Sequence, residues 1–234
     1  MNNFYKICLE RKNISKALLA LWLIFMINVL TCNWDEVYQI LSVLTLNIDN
    51  LNENQDDFLK KINVDYSDKI QIDYKQILIN RGYLLHWGLL LLNEKKNGLE
   101  KYLNIFFDDK NLPIVDNSFR SLLKYGIVLS LITKSRKFIS ILKRNFFNST
   151  NAVDILEKNN ACYFNLFDAL YINFDMDKVR ICMEECKNVS LKFKLLKDMN
   201  EDYFLSTYIN VFNDKIREIM MDNYIELHNS FNFK

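Results

Sequence analysis

Cys182 and Cys186 stand four residues apart, a spacing that would place two thiolates on one helical face and offer half of a tetrahedral zinc site. No further Cys or His lies close by in sequence to complete it. Val179 and Met183 share the same face, so the pattern favours core packing over metal binding. The two histidines are solitary as well. His86 sits inside the most apolar stretch of the chain, which predicts a core imidazole with its hydrogen bonds satisfied. His228 falls near the end of the last helical pattern, where a cation complements the helix dipole. Gly82, Gly88, Gly98 and Gly126 never cluster, so neither a P-loop nor a dinucleotide fingerprint is present. The carboxylates are spread evenly, with no pair set apart as acid and base. These residues predict no enzyme, no cofactor and no small-molecule substrate.

One charged group does stand out. Lys134, Arg136, Lys137, Lys143 and Arg144 fall within a short span, flanked by Phe138, Phe146 and Phe147. Such a cluster can neutralise RNA phosphates and release their counterions. The competing readings are a solvated helix face and a rim against an acidic protein partner. Across the chain, 30 Lys and Arg balance 29 Asp and Glu, so any basic surface has to be local.

The elements that position these groups read as helices. Half of the 234 residues are apolar, enough for a sizeable core, while 4 glycines and 1 proline are too few for the turns of a sandwich or barrel. Five scattered cysteines in a chain this large suit a reducing compartment rather than a disulfide framework. Apolar periodicity predicts helices near 15–32, 34–46, 51–62, 74–93, 97–107, 116–134, 136–147, 151–172, 176–187 and 201–231. Asn33 is placed as an N-cap with Glu36 at the capping-box position, and Trp34, Val37, Tyr38, Leu41 and Leu44 recur at three-to-four spacing. Residues 74–93, with Leu84, Leu85, Trp87 and Leu89 to Leu92, are apolar on nearly all sides and predict the centre of the core. Pro113 marks the start of a helix. The polar stretches 47–57 and 63–73 are expected as surface connections.

Ala17 to Trp34 carries no formal charge in its apolar part and follows Lys6, Arg11, Lys12 and Lys16, the layout of a signal anchor. Its strongly apolar part falls short of the roughly 20 residues that a spanning helix needs, and Asn28, Thr31 and Asn33 interrupt it. A buried first helix is therefore preferred to a membrane-anchored protein. Asn33-Trp34-Asp35 and Asn173-Phe174-Asp175 echo one another just before apolar helical patterns, as repeated corners of helical hairpins would. There the aromatic is expected to wedge the corner and the acid to cap the next helix. The last pattern, from Tyr203 to Phe231, is long and broad enough to need a partner. It is expected to pack back on the array, with Tyr208, Phe212, Ile219, Tyr224, Leu227 and Phe231 as candidates for a subunit interface.

Four stretches in series carry a family resemblance: Asn33-Trp34-Asp35; Asn80-Arg81-Gly82-Tyr83-Leu84-Leu85-His86-Trp87-Gly88-Leu89; Leu170-Tyr171-Ile172-Asn173-Phe174-Asp175 with Glu184-Glu185-Cys186; and Asp202-Tyr203-Phe204-Leu205 with His228. In this order and spacing, from about Lys16 to about Phe231, the chain resembles the E subunit of eukaryotic translation initiation factor 3, a family with a PCI domain. The resemblance implies an all-α fold: a right-handed array of antiparallel helical hairpins, a TPR/PCI-like α-solenoid ending in a long C-terminal helix. Residues 1–234 are expected as a single helical-repeat domain, lacking the family's N-terminal repeats and C-terminal winged helix. It also implies a non-catalytic, cytoplasmic scaffold whose partners are other initiation factor 3 subunits and the small ribosomal subunit. The sister reading is a PCI-type component of the proteasome lid or the COP9 signalosome.

Overall fold

The structure, a computed structural model, describes residues 2–11, 14–61, 67–94, 97–147, 161–183 and 194–231, and no strand occurs among them. The fold is all-α. It resolves into two compact units, Met1–Ile114 and Val115–Lys234.

In the first unit, α1 (Asn2–Glu10) packs on α2 (Ile14–Leu30), α2 on α3 (Trp34–Lys61), and α3 on α4 (Ser67–Gly88). α4 runs into a 3-10 turn (Leu89–Asn93) that packs on α5 (Gly98–Phe106). Each helix thus rests mainly on its chain neighbour, the stacking order of a helical solenoid. The core is built from one face of each: Ala17, Leu21 and Phe25 of α2, Val37, Leu41, Leu44 and Ile48 of α3, and Leu84 and Leu85 of α4 are all buried. Gly98 fixes the approach of α5 to the turn before it, because a Cβ there would lie 1.8 Å from the carbonyl oxygen of Leu91. A short helix, α6 (Leu112–Asn117), carries Pro113 in its first turn, where its missing N–H costs nothing.

The second unit is organised around α7 (Leu123–Thr133), which a 3-10 turn (Arg120–Leu122) introduces. Every α7 residue from Tyr125 to Ile132 is buried. α7 packs against α8 (Arg136–Leu142), which widens into a π-turn (Lys143–Phe147), and against α9 (Ala161–Tyr171). α10 (Met176–Met183) and α11 (Lys194–Glu201) pack on α9. After a turn at Ser206–Tyr208, α12 (Ile209–Phe231) returns across α7, α9 and α11, burying Phe212, Ile216 and Ile219. The terminal helix therefore packs back on its own chain, as its apolar stripe predicts.

Both echoed corners exist, in a different register from the sequence match. At the first, Cys32 is left-handed (φ 55°), the Asn33 N–H donates to the Asn28 carbonyl at 2.9 Å, and Asn33 takes the N-cap position of α3. At the second, Phe174 is left-handed (φ 53°), the Asp175 N–H donates to the Ala169 carbonyl at 2.9 Å, and Asp175 caps α10 by accepting the Lys178 N–H at 2.9 Å. The left-handed residue followed by a cap is the repeated device. Asn33 thus corresponds to Asp175 and Trp34 to Met176. The aromatics are not wedges: Trp34 is half-buried and Phe174 is exposed.

Other expectations need correction. α3 does not stop near residue 46 but continues through 47–57 to Lys61, and Asn47 makes this tolerable by donating its side-chain amide to the Val43 carbonyl (2.8 Å) and to Tyr5 Oη (3.3 Å). α4 begins at Ser67, inside the expected connection. It is not apolar all round: Tyr83, His86 and Trp87, spaced three and one apart, form an exposed face, so His86 is not a core histidine. α1 and α11 have no counterpart among the expected helices. Among the described residues, no helix is long and apolar enough to cross a membrane. Cys186 and the side chains of His228 and Phe231 lie outside the described residues, as do 151–160 of the expected helix 151–172 and 184–187 of the expected helix 176–187.

Candidate interaction surfaces

Each unit is pinned by a polar cluster that apolar periodicity cannot reveal. In the first, Arg81 of α4 is 2% exposed and donates through Nη1 to Asn111 Oδ1 (2.9 Å) and through Nη2 to Asp49 Oδ1 of α3. Lys110 Nζ reaches the other Asp49 oxygen at 2.9 Å, and Asn111 Nδ2 donates to the Ile105 carbonyl at 2.8 Å. A planar guanidinium suits such a buried fork, because it satisfies two acceptors at fixed angles. Nearby, Trp22 Nε1 of α2 donates to Asn80 Oδ1 at 3.4 Å.

In the second unit, Lys124 and Tyr125 of α7, Tyr163 of α9, Asp198 of α11 and Asp202 converge. Lys124 Nζ lies 2.8 Å from Asp202 Oδ2 and 3.3 Å from Asp198 Oδ2. Tyr125 donates its hydroxyl to Asp202 and Tyr163 to Asp198, each at 2.7 Å. The second Asp202 oxygen accepts the N–H groups of Phe204 (2.9 Å) and Leu205 (3.0 Å), fixing the turn that leads into α12. Burial pushes the Asp202 carboxyl up, but the hydrogen bonds from Lys124, Tyr125 and Leu205 outweigh it and hold the group below its ordinary range. Burial, then the adjoining carboxylates, push both tyrosines well above theirs. Every polar group in the cluster is answered by another, and a carboxylate held ionised among donors is a poor proton acceptor. The arrangement ties helices together; it is not poised for acid–base chemistry.

The basic cluster is divided by the structure. Lys134 ends α7 in a left-handed conformation (φ 50°), and its ammonium bridges Asp222 (2.7 Å) and Glu218 (2.9 Å) of α12. Lys143 lies over an aromatic face, its Nζ 5.3 Å from the centroid of the Tyr171 ring. Arg136, Lys137 and Arg144 remain exposed. The candidate interface residues divide similarly: Phe212 and Ile219 face the unit's own core, Tyr208 is half-buried, and Tyr224 and Leu227 are exposed. Cys182 is half-buried, and burial raises its thiol pKa.

A broad uncovered apolar face lies where no single motif marks it. α2 buries Ala17, Leu18, Ala20, Leu21 and Phe25, yet its opposite side exposes Leu19, Leu23, Met26, Ile27 and Leu30. Leu19, Leu23, Met26 and Leu30 follow a 4-3-4 spacing, that of a seam into which a second helix packs its own side chains. Its signal in the sequence is the lack of any polar face on this helix, which a signal anchor would share.

The resemblance holds against curated proteins. This chain is similar to the E subunit of eukaryotic translation initiation factor 3. It is 24% identical over 223 residues to that protein of Arabidopsis thaliana, a match covering 92% of this chain and 44% of the relative. With its counterpart in Schizosaccharomyces pombe it shares 25% identity over 220 residues, 89% of this chain and 38% of the relative. With the E-1 form of Drosophila willistoni the figures are 21% over 169 residues, 70% and 35%. The chain thus spans less than half the length of these relatives from initiation factor 3. No protein-family model matches it. The four stretches named from the sequence contain structural fixtures: Asn33 ties back to Asn28 at the first corner, Asp175 caps α10 at the second, Asn80 and Arg81 tie α4 to α2 and α3, and Asp202 anchors the turn before α12.

Proposed function

We propose that this chain is a non-catalytic scaffold subunit of a translation initiation factor 3 assembly, supporting assembly of the initiation complex on the small ribosomal subunit. The two units serve as successive parts of one helical-repeat domain, and the cytoplasm is its place of work. The observation that carries the reading is the outer face of α2. An apolar face of five residues open to solvent is costly in a lone protein and is what a helix of a partner would cover. The partner surface it fits is another amphipathic helix, laid alongside α2, from a sister subunit. The likeness to the curated relatives supports this choice of complex, and the closed polar clusters favour a structural over a chemical role.

Affinity purification of the tagged full-length chain from its own cells at moderate salt tests this. Initiation factor 3 subunits, with small-subunit ribosomal proteins, are expected among the retained proteins. Retention of proteasome-lid or signalosome subunits in their place would move the chain to a sister complex, and retention of none of these would overturn the scaffold reading.

A further inference from the structure

From Asn117 to Val153 the sequence contains no acidic residue and seven basic ones. The fold uses part of this surplus internally. Arg120 pairs with Asp116, Lys124 neutralises Asp198 and Asp202, Lys134 neutralises Glu218 and Asp222, and Lys143 lies over the ring of Tyr171. Lys137 lies over the ring of Phe138, its Nζ 5.3 Å from the centroid, yet like Arg136 and Arg144 it stays at the surface. Arg136, Lys137 and Arg144 are exposed and have no carboxylate partner among the described residues. Arg136 and Arg144 are eight residues apart along α8 and its π-turn, with exposed Ser140 midway between them and Lys137 beside the first. At about 1.5 Å per residue this makes a basic ridge roughly 12 Å long.

What the ridge lacks identifies its partner. Of the apolar residues interleaved with it, Phe138, Ile139, Leu142 and Phe146 are buried and Ile141 is half-buried, so among the described residues it offers charge and a hydroxyl with no fully exposed aromatic or aliphatic anchor. A protein interface draws most of its energy from such anchors, so a merely acidic protein would find little to hold. Base stacking on a single strand needs an exposed ring, and none lies along the ridge among the described residues. Contact with a phosphate backbone needs only cations and hydroxyls; no acid lies on the same segment, and the two carboxylates beside its start, Glu218 and Asp222, are paired with Lys134. We propose that Arg136, Lys137 and Arg144, with Ser140, form a contact for the phosphate backbone of double-helical RNA, read without regard to sequence. This goes beyond the assembly role, and its failure would leave that role untouched.

The test is fluorescence anisotropy of a labelled RNA hairpin titrated with the full chain between about 50 and 200 mM salt, a range set by the salt sensitivity of such contacts. The wild type is expected to bind with log K falling against log salt at a slope of roughly −2 to −3, as about three neutralised phosphates require. The triple variant Arg136→Gln/Lys137→Gln/Arg144→Gln is expected to lose about tenfold or more at the low-salt end and most of the slope. Lys134→Gln, which removes a cation already used within the fold, is expected to bind as the wild type does. Circular dichroism verifies that both variants remain helical. Undiminished binding by the triple variant, no binding by the wild type, or equal binding to polyglutamate would overturn the proposal.

Discussion

α2 and α7 are the two helices with hardly a polar face, and the chain treats them differently. α7 is wrapped by α8, α9 and α12 of its own unit, so that Tyr125 to Ile132 are buried without a gap. α2 has α1 and α3 against it, yet among the described residues no helix covers its other side, where Leu30 is 79% and Leu19 58% exposed. The contrast follows from how each unit closes. Stacking of chain neighbours in the first unit leaves an outer face open, as the end of a solenoid does, whereas the return of α12 closes the second. Uniform apolarity thus predicts that a helix will be covered, but the covering element can belong to the same chain or to another.

The polar clusters extend the comparison, because each unit rests on one. The largest effect is expected from Arg81→Met, which strips Asn111 and the largely buried Asp49 of their shared donor and should cost about 3–5 kcal/mol. Hydrogen exchange would show the loss in α3 and α4 while α7 and α9 keep their protection. If protection fell equally in both units, they would have to be treated as one cooperative body. Asp202→Ala should cost about 3 kcal/mol by leaving Tyr125 and two backbone N–H groups without their acceptor and Lys124 with Asp198 alone, with protection lost in α7, α11 and α12. Gly98→Ala is next, at about 1–3 kcal/mol, because its Cβ must displace the Leu91 carbonyl; a neutral melting temperature would contradict the packing of α5 described above.

The second cluster also gives that unit a pH signature. The Asp202 carboxyl is depressed in the folded state, so its contribution is present above the ordinary carboxylate pKa of about 4 and is lost as pH falls through the folded value. Lys124, Tyr125 and Tyr163 are raised, so theirs is complete below about pH 10 and is lost as pH climbs toward the folded values. Thermal melts across pH should therefore fall at both ends, and Tyr125→Phe should flatten the alkaline side. The smallest effect is expected from Lys134→Ala, whose two acidic partners are half exposed, at about 0.5–1 kcal/mol in denaturant titrations.

Much of this was legible in the residues, for local reasons. The N-cap position of Asn33, the helical turn that Pro113 opens, the boundary between Thr133 and Arg136 and the return of the last helix follow from signals within a turn or two of sequence, although Pro113 opens the short α6 and the helix expected over 116–134 is split after Asn117. The extension of α3 was not, because Asn47 and the acidic and amide residues after it are typical of loops, and the bonds of Asn47 to Tyr5 and Val43 form only in the fold. The exposure of His86 is masked by Leu84 and Leu85, which dominate the pattern around it, although Tyr83, His86 and Trp87 can share one side of a helix. Neither cluster could be read at all. Asp49 meets Arg81, and Lys124 meets Asp202, only after the chain has doubled back, and nothing in their own neighbourhoods marks them as partners. Of the candidate surface residues, Lys134 and Phe212 were plausible by type and are committed within the fold, which only the position of α12 decides.

The central claim is that the uncovered face of α2 is where a sister protein docks. Its most direct test is to compare the proteins retained by the tagged wild-type chain with those retained by Leu23→Glu/Met26→Glu, two exposed positions that leave the buried face of α2 intact. The account predicts an unchanged helical spectrum and melting temperature together with loss of the initiation factor 3 subunits. Retention of the same subunits by the double variant would contradict it.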